Sequence, residues 1–233
     1  MARPRLFTYK EPGNCYKVRL LAALLQIDLE QIELDFNTDE HKSPEFLLIS
    51  PRGTIPAVVD GGRVFTDSSA ILVYLAGTYP DAGSSKTPSS WWSIDVAEQA
   101  AIVDWLAFSA PWVQNGVYAA RTMLSFEGMY SGLGSANTEQ TLVEAKVKGH
   151  KSLKILQKKL EREEWLVLGQ PTIADIAVFA YVVLAPMGDV SLAPYPAVKS
   201  WIERMRNLPH FILIEGLDDP MYRRANAEIR KVS

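Results

Sequence analysis

Apolar positions along the chain follow two different rhythms. Short alternating runs and helical stretches interleave over the first third, and a helical repeat takes over from about residue 91. Residues 6–9 read as a strand. Residues 14–26 predict a helix that offers Val18, Leu21, Leu24 and Leu25 to a core. In residues 30–36, Ile32, Leu34 and Phe36 alternate with polar neighbours, which predicts a second strand. Ser43-Pro44-Glu45-Phe46 starts a short helix, with proline suited to the first helical position. Ala57-Val58-Val59 and residues 63–66 flank Asp60-Gly61-Gly62, a turn that admits positive φ, so a β-hairpin is expected. The apolar run after Ser68 makes the next helix. The order is β-α-β-α-β-β-α, and the first two strands, joined through a helix, should run parallel by a right-handed crossover.

The remainder reads as helix. Residues 91–124 form one long apolar-periodic segment, with a bend expected at Pro111. Residues 127–137 are rich in Gly and Ser and predict a loop, and residues 138–164 a long helix with Leu142, Leu153, Leu156 and Leu160 inward. Thr172 and Asp175 are spaced to cap each other's backbone N–H groups and open a third helix. Its continuation, residues 176–184, is apolar all round, as a helix at the centre of a domain is. Residues 196–206 and 209–215 predict further short helices, before a polar tail after residue 218. Proline, glycine and serine crowd residues 79–90. The expected organisation is a small α/β domain over 1–82, a linker over 83–90 and an all-helical domain over 91–233.

Composition narrows the function classes. A 233-residue chain with 48% apolar and 22% charged residues is an ordinary globular protein. A net charge of -3 disfavours a nucleic-acid partner. No stretch approaches the roughly 18 apolar residues of a membrane span, so no membrane is expected. The N-terminus lacks a signal-peptide core. A single cysteine excludes an internal disulfide and suits a reducing, cytoplasmic setting. His41, His150 and His210 have no ligand spacing, so no metal is expected.

Candidate chemistry concentrates between Pro51 and Leu75. Pro56 cannot donate to a strand ladder and belongs at a strand mouth. Asp67 and Ser68 open the helix after the hairpin, beside unpaired N–H groups and the positive end of the helix dipole. That combination suits a zwitterionic peptide, its ammonium on Asp67 and its carboxylate on Ser68 and the helix N–H groups.

SPRGTIPAV, the Asp-Ser-x-Ala-Ile-x-x-Tyr-Leu segment and TIADIAVFAY occur in that order and spacing. Together they resemble the cytosolic glutathione transferase superfamily over residues 4–215. The resemblance implies a thioredoxin-like first domain, an all-α second domain, a cis bond before Pro56, a homodimer and glutathione as cosubstrate. Ile55 would pair with the glutathione backbone as an added strand does. Three residues compete to face the glutathione sulfur. Asn14 leads, because Asn-Cys-Tyr-Lys-Val looks like the opening of the fungal nitrogen-regulator branch and the bacterial Nu class; the alternative makes Asn14 a helix N-cap. Cys15 sits in a Pro-Gly-x-Cys similar to the Beta class, where a helix N-terminus should depress its pKa, or else it is a small buried apolar residue. Tyr9 follows the first strand, like the tyrosine of the Alpha, Mu, Pi and Sigma classes.

His41, in Glu-His-x-x-Pro-Glu-Phe, and Arg52 are expected to meet the glycyl carboxylate, with Lys42 a solvated neighbour. Phe108, Ser109, Trp112, Tyr118 and Arg121 are expected to line a pocket for an apolar electrophile. The function expected is a transferase that stabilises the glutathione thiolate and conjugates it to that electrophile. Alternatives are a glutathione-dependent disulfide or hydroperoxide reductase and a non-catalytic glutathione-binding regulator.

Overall fold

A computed structural model describes residues 3–9, 13–35, 38–125 and 138–222. The chain divides into two compact units, Met1–Gln99 with Leu208–Ile212, and Ala100–Asn207 with Leu213–Ser233.

The first unit is a four-stranded mixed sheet with helices, the thioredoxin-like arrangement. Its elements are β1 (Arg5–Thr8), α1 (Asn14–Leu24), β2 (Glu30–Glu33), a 3-10 turn (Glu40–Lys42), α2 (Pro44–Leu47), β3 (Ala57–Asp60), β4 (Arg63–Phe65) and α3 (Ser68–Thr78). Strand order is β2-β1-β3-β4. The β1 and β2 strands run parallel, with Phe7 opposite Ile32, as a strand–helix–strand crossover requires. The other two pairings are antiparallel. Gly61 and Gly62 turn the hairpin at φ 53° and 81°, a conformation that side chains resist. Phe7, Leu34, Phe46 and Ala57 form one core on the sheet, while Leu6 and Val58 are fully buried beside it. The second strand is shorter than its alternation suggests, and Phe36 lies outside the described residues.

Local chemistry sets the helix starts. Ser43 accepts the Phe46 N–H at 3.2 Å with Pro44 in the first helical position. Asp67 caps α3 by accepting the N–H groups of Ser69 (2.8 Å) and Ala70 (3.3 Å). Tyr74 and Tyr79 both donate to Asp60 Oδ2, at 2.8 and 2.6 Å, tying α3 to the hairpin.

The second unit is helical. Helix α4 (Val96–Phe108), which begins in the last residues of the first unit and continues into the second, starts later than the apolar pattern predicts. Trp91 and Trp92 precede it in irregular backbone, and Asp95 sets its start by accepting the N–H groups of Ala97 and Glu98. Residues Ser109–Tyr118 wind as a π-helix where a simple bend is expected, because Pro111 supplies no N–H to an α-helical ladder. Next come α5 (Ala119–Ser125), α6 (Glu139–Leu160), α7 (Ile173–Val182) and α8 (Pro196–Arg206). The predicted loop over 127–137 lies outside the described residues. The predicted helix over 209–215 does not form; that stretch is turn and extended chain. It carries Ile212, whose carbonyl accepts the buried Tyr16 hydroxyl at 2.8 Å, a fixed contact made without helical backbone.

Helix α7 is buried along its whole length. The fully buried Asp175 accepts Thr172 N at 3.0 Å, Leu166 N at 3.1 Å and Trp201 Nε1 at 3.0 Å, while Thr172 Oγ1 accepts the Ala174 N–H. The α6 helix passes close to the π-helical stretch: a Cβ on Gly116 would sit 2.7 Å from Gly149 N. No helix of the described residues is long and apolar enough to cross a membrane.

Candidate functional site

In the first unit, the chain opens α1 and α3 at neighbouring points. Gly13, at φ 134°, occupies the N-cap position of α1, so Asn14 is the first helical residue and does not cap it. Its Oδ1 instead accepts the Ser68 hydroxyl at 3.0 Å, across 54 residues of chain. Ser68 is buried and Asn14 half-buried, while Asp67 is exposed beside them. Two helix N-termini thus converge with an amide, a hydroxyl and a carboxylate between them, and each supplies partial positive charge.

The peptide bond before Pro56 is cis, as is Thr87–Pro88. Pro56 is buried and begins the approach to β3. Among the described residues, the main-chain N–H and C=O of Ile55 have no hydrogen-bond partner. The preceding loop is braced by Ser50, which donates to Thr54 O at 2.8 Å and accepts the Thr54 N–H at 3.3 Å. Arg52 is exposed and donates to Thr66 Oγ1 at 3.0 Å. The His41 side chain is 12% exposed, with Nε2 3.8 Å from Asp39. Burial, seconded by Lys42, pulls the imidazole below its ordinary range, against the opposing Asp39 charge. Gly53, at φ +61°, packs on the His41 carbonyl, where a Cβ would come within 3.1 Å. Lys42 pairs with Asp39 at 2.9 Å on the surface.

Cys15 departs from the expectation of an activated thiol. It is 6% exposed, and burial raises its pKa. A main-chain contact from Tyr9, the Thr8 hydroxyl and the Arg19 charge act the other way and do not prevail. Tyr9 is half-buried, and its carbonyl accepts from the Arg19 guanidinium.

One residue of the Asn-Cys-Tyr-Lys-Val run was given no role in the sequence. Lys17 is 3% exposed, and burial pulls its ammonium from 10.5 down to about 7, against the Asp67 charge that favours protonation. The signal was there: Lys17, Leu20, Leu21 and Leu24 share the buried face of α1, so the repeat places the lysine inside.

In the second unit, Phe108 stacks on Trp112 at 6.1 Å and meets Trp105 edge-on at 5.1 Å. Trp112 is 41% exposed. Ser109 is buried and donates to the Ala177 carbonyl at 2.8 Å, so its hydroxyl serves helix packing. Tyr118 packs on Tyr181 at 4.8 Å, and the buried Arg121 lies 5.3 Å over the Tyr118 ring. A cavity of about 840 Å³ opens elsewhere in the first unit, between Arg3, Leu25, Asp28, Asp60, Tyr74 and Tyr79. None of the expected site residues lines it. Among the described residues, no three His, Cys, Asp or Glu side chains gather as metal ligands.

Comparison with known proteins bears on this arrangement. Residues 4–77 match the family model for the glutathione S-transferase N-terminal domain, and residues 117–209 that for the C-terminal domain. The disulfide-bond oxidoreductase YfcG of Escherichia coli is 32% identical over 203 residues, covering 84% of this chain and 87% of that protein. Protein URE2 of Candida glabrata is 36% identical over 107 residues, 44% of this chain and 29% of its own length. The crystal structure of a possible glutathione S-transferase from Rhodopseudomonas palustris superposes with a TM-score of 0.79 at 28% identity, covering 92% of this chain and 90% of that one.

Proposed function

Because the chain belongs to the cytosolic glutathione transferase superfamily, we propose that it binds glutathione, ionises its thiol and adds the thiolate to an apolar electrophile. The observation that carries this reading is the Asn14–Ser68 hydrogen bond at the meeting of two helix N-termini, with Asp67 alongside. The γ-glutamyl ammonium meets Asp67, and its carboxylate meets Ser68 and the first N–H groups of α3. The cysteinyl main chain pairs with Ile55 as an added strand does. His41 and Arg52 serve the glycyl carboxylate.

Asn14 is the donor to the sulfur. With Ser68 holding the amide oxygen, Nδ2 is the end that donates. A free thiol titrates near 8.5, and moving it down by about two units takes roughly 2.7 kcal/mol of preference for the thiolate. One amide donor and the start of α1 supply stabilisation of that size. Cys15 takes no part in this scheme, since its burial favours the neutral thiol. Tyr9 has the weaker claim to the sulfur, because anchoring the resemblance on Cys15 puts Thr8 in the register of the family's tyrosine. Phe108, Trp112 and Tyr118 supply apolar surface for the electrophile, with Arg121 behind the Tyr118 ring. The enzyme works as a homodimer in the cytoplasm.

A second reading uses the same thiolate against sulfur. The glutathione thiolate attacks one sulfur of a disulfide, forms a mixed disulfide and expels a thiolate; a second glutathione then releases the product thiol and leaves as oxidised glutathione. The E. coli relative named a disulfide-bond oxidoreductase favours it. Turnover with an aryl halide, a hydroperoxide and a mixed disulfide separates these chemistries. In each, Asp67→Ala should abolish retention on immobilised glutathione, and Asn14→Ala should cut kcat about 10²-fold with little change in retention. Full turnover by Asn14→Ala removes the thiol donor, and retention of Asp67→Ala removes the γ-glutamyl site.

A further inference from the structure

The cavity of about 840 Å³ in the first unit lies where several elements end: the close of α1, the turn between β3 and β4, the close of α3 and the chain that follows it. Most charges on its wall are already answered. Arg3 pairs with Asp28 at 2.5 Å. Asp81 accepts the Ser90 N–H and the Ser90 hydroxyl, each at 2.9 Å. Asp60 and Arg63 are different. They are register partners across the hairpin, where opposite charges ordinarily pair. Among the described residues they form no ion pair, and Asp60 Oδ2 instead accepts the Tyr74 and Tyr79 hydroxyls at 2.8 and 2.6 Å. Asp60 Oδ1 accepts no hydrogen bond from the described residues, and the exposed Arg63 guanidinium donates none.

A carboxylate and a guanidinium side by side, each with open hydrogen-bonding capacity and neither satisfying the other, complement an ammonium and a carboxylate carried on one carbon atom. We propose that this cavity binds a free α-amino acid with an apolar side chain. Its ammonium donates to Asp60 Oδ1, its carboxylate accepts from Arg63, and its side chain lies against Leu25, Ile27 and Pro80 on the cavity wall. The two tyrosines hold Asp60 by its other oxygen, which leaves the guanidinium free for the ligand. A simple amine would answer Asp60 but meet Arg63 as a like charge, and a simple acid would answer Arg63 but meet Asp60; the zwitterion satisfies both. The volume is of the size that takes a small molecule. No residue of the proposed glutathione site lines this cavity, so the inference stands apart from the glutathione reading.

The test titrates the full chain with L-phenylalanine at neutral pH and follows binding by calorimetry. Saturable binding at millimolar concentration is expected. N-acetyl-L-phenylalanine, which lacks the ammonium, and L-phenylalanine methyl ester, which lacks the carboxylate, should each bind about tenfold more weakly or worse, the loss of one charge-assisted contact. Arg63→Gln, a change at an exposed side chain, should weaken binding by a similar factor, and so should Asp60→Asn, which keeps an acceptor for the tyrosines. A γ-glutamyl site would also receive an amino acid, so the titration is repeated with saturating S-methylglutathione and in Asp67→Ala. Binding should persist in both. No saturation by the wild type, equal binding of either derivative, or unchanged binding by Arg63→Gln overturns the inference. Displacement by S-methylglutathione, or loss in Asp67→Ala, overturns it too by placing the amino acid at the γ-glutamyl site. All of these outcomes leave the glutathione reading standing.

Discussion

A lysine ammonium shut away from water costs the folded state more than it returns in contacts. For Lys17 the sign follows from the folded value of about 7 against 10.5 when unfolded. Between these values the unfolded chain holds the extra proton, so stability rises with pH across that window, and below 7 the cost is constant. Lys17→Met should therefore be more stable than wild type at pH 7, by about 1–4 kcal/mol. In urea unfolding, its advantage should shrink toward pH 10; an equal advantage at both ends would show that charge is not the cause. The same residues mark what a one-dimensional reading can reach. Asp67 and Ser68 were legible because an acid and a serine after a hairpin open a helix. Their bond to Asn14 was not, because it spans 54 residues of chain. For Cys15 the sequence left two readings open, an activated thiol at a helix start and a small buried apolar residue, and the burial that favours the second depends on packing that the local pattern does not specify.

Among the elements, α7 depends most on one side chain. Asp175 takes hydrogen bonds from two main-chain N–H groups and the Trp201 indole in a site without solvent, and burial raises its pKa to about 6. Asp175→Ala strands those donors and should destabilise the second unit by about 3 kcal/mol or more, measured as a fall in the urea midpoint. Gly116→Val should cost about 1–3 kcal/mol, because its Cβ would meet the main chain of Gly149 and not a yielding side chain. The capping pair of α7 and all of α8 were readable from the sequence, since caps and amphipathic repeats are local properties. The start of α4 was misplaced because Trp91 and Trp92 continue the apolar pattern while Asp95 dictates where helical backbone begins. The stretch over 209–215 was misread because its apolar residues imitate a helical face.

For the whole molecule, two of the buried ionisable groups, Asp175 and Lys17, work in opposite senses. The cost of ionising Asp175 grows as pH rises from 3.8 to about 6, and that of protonating Lys17 grows as pH falls from 10.5 to about 7. Near neutrality both are in force, one in each unit. Sedimentation equilibrium should return about twice the 25.9 kDa of one chain, and a monomer would remove the homodimer from the scheme. Finally, the single cysteine of this chain lies buried under packed side chains. Alkylating reagents that destroy glutathione in solution should leave this sulfur untouched until the chain unfolds, so an electrophile of the class proposed above would not inactivate the protein through it.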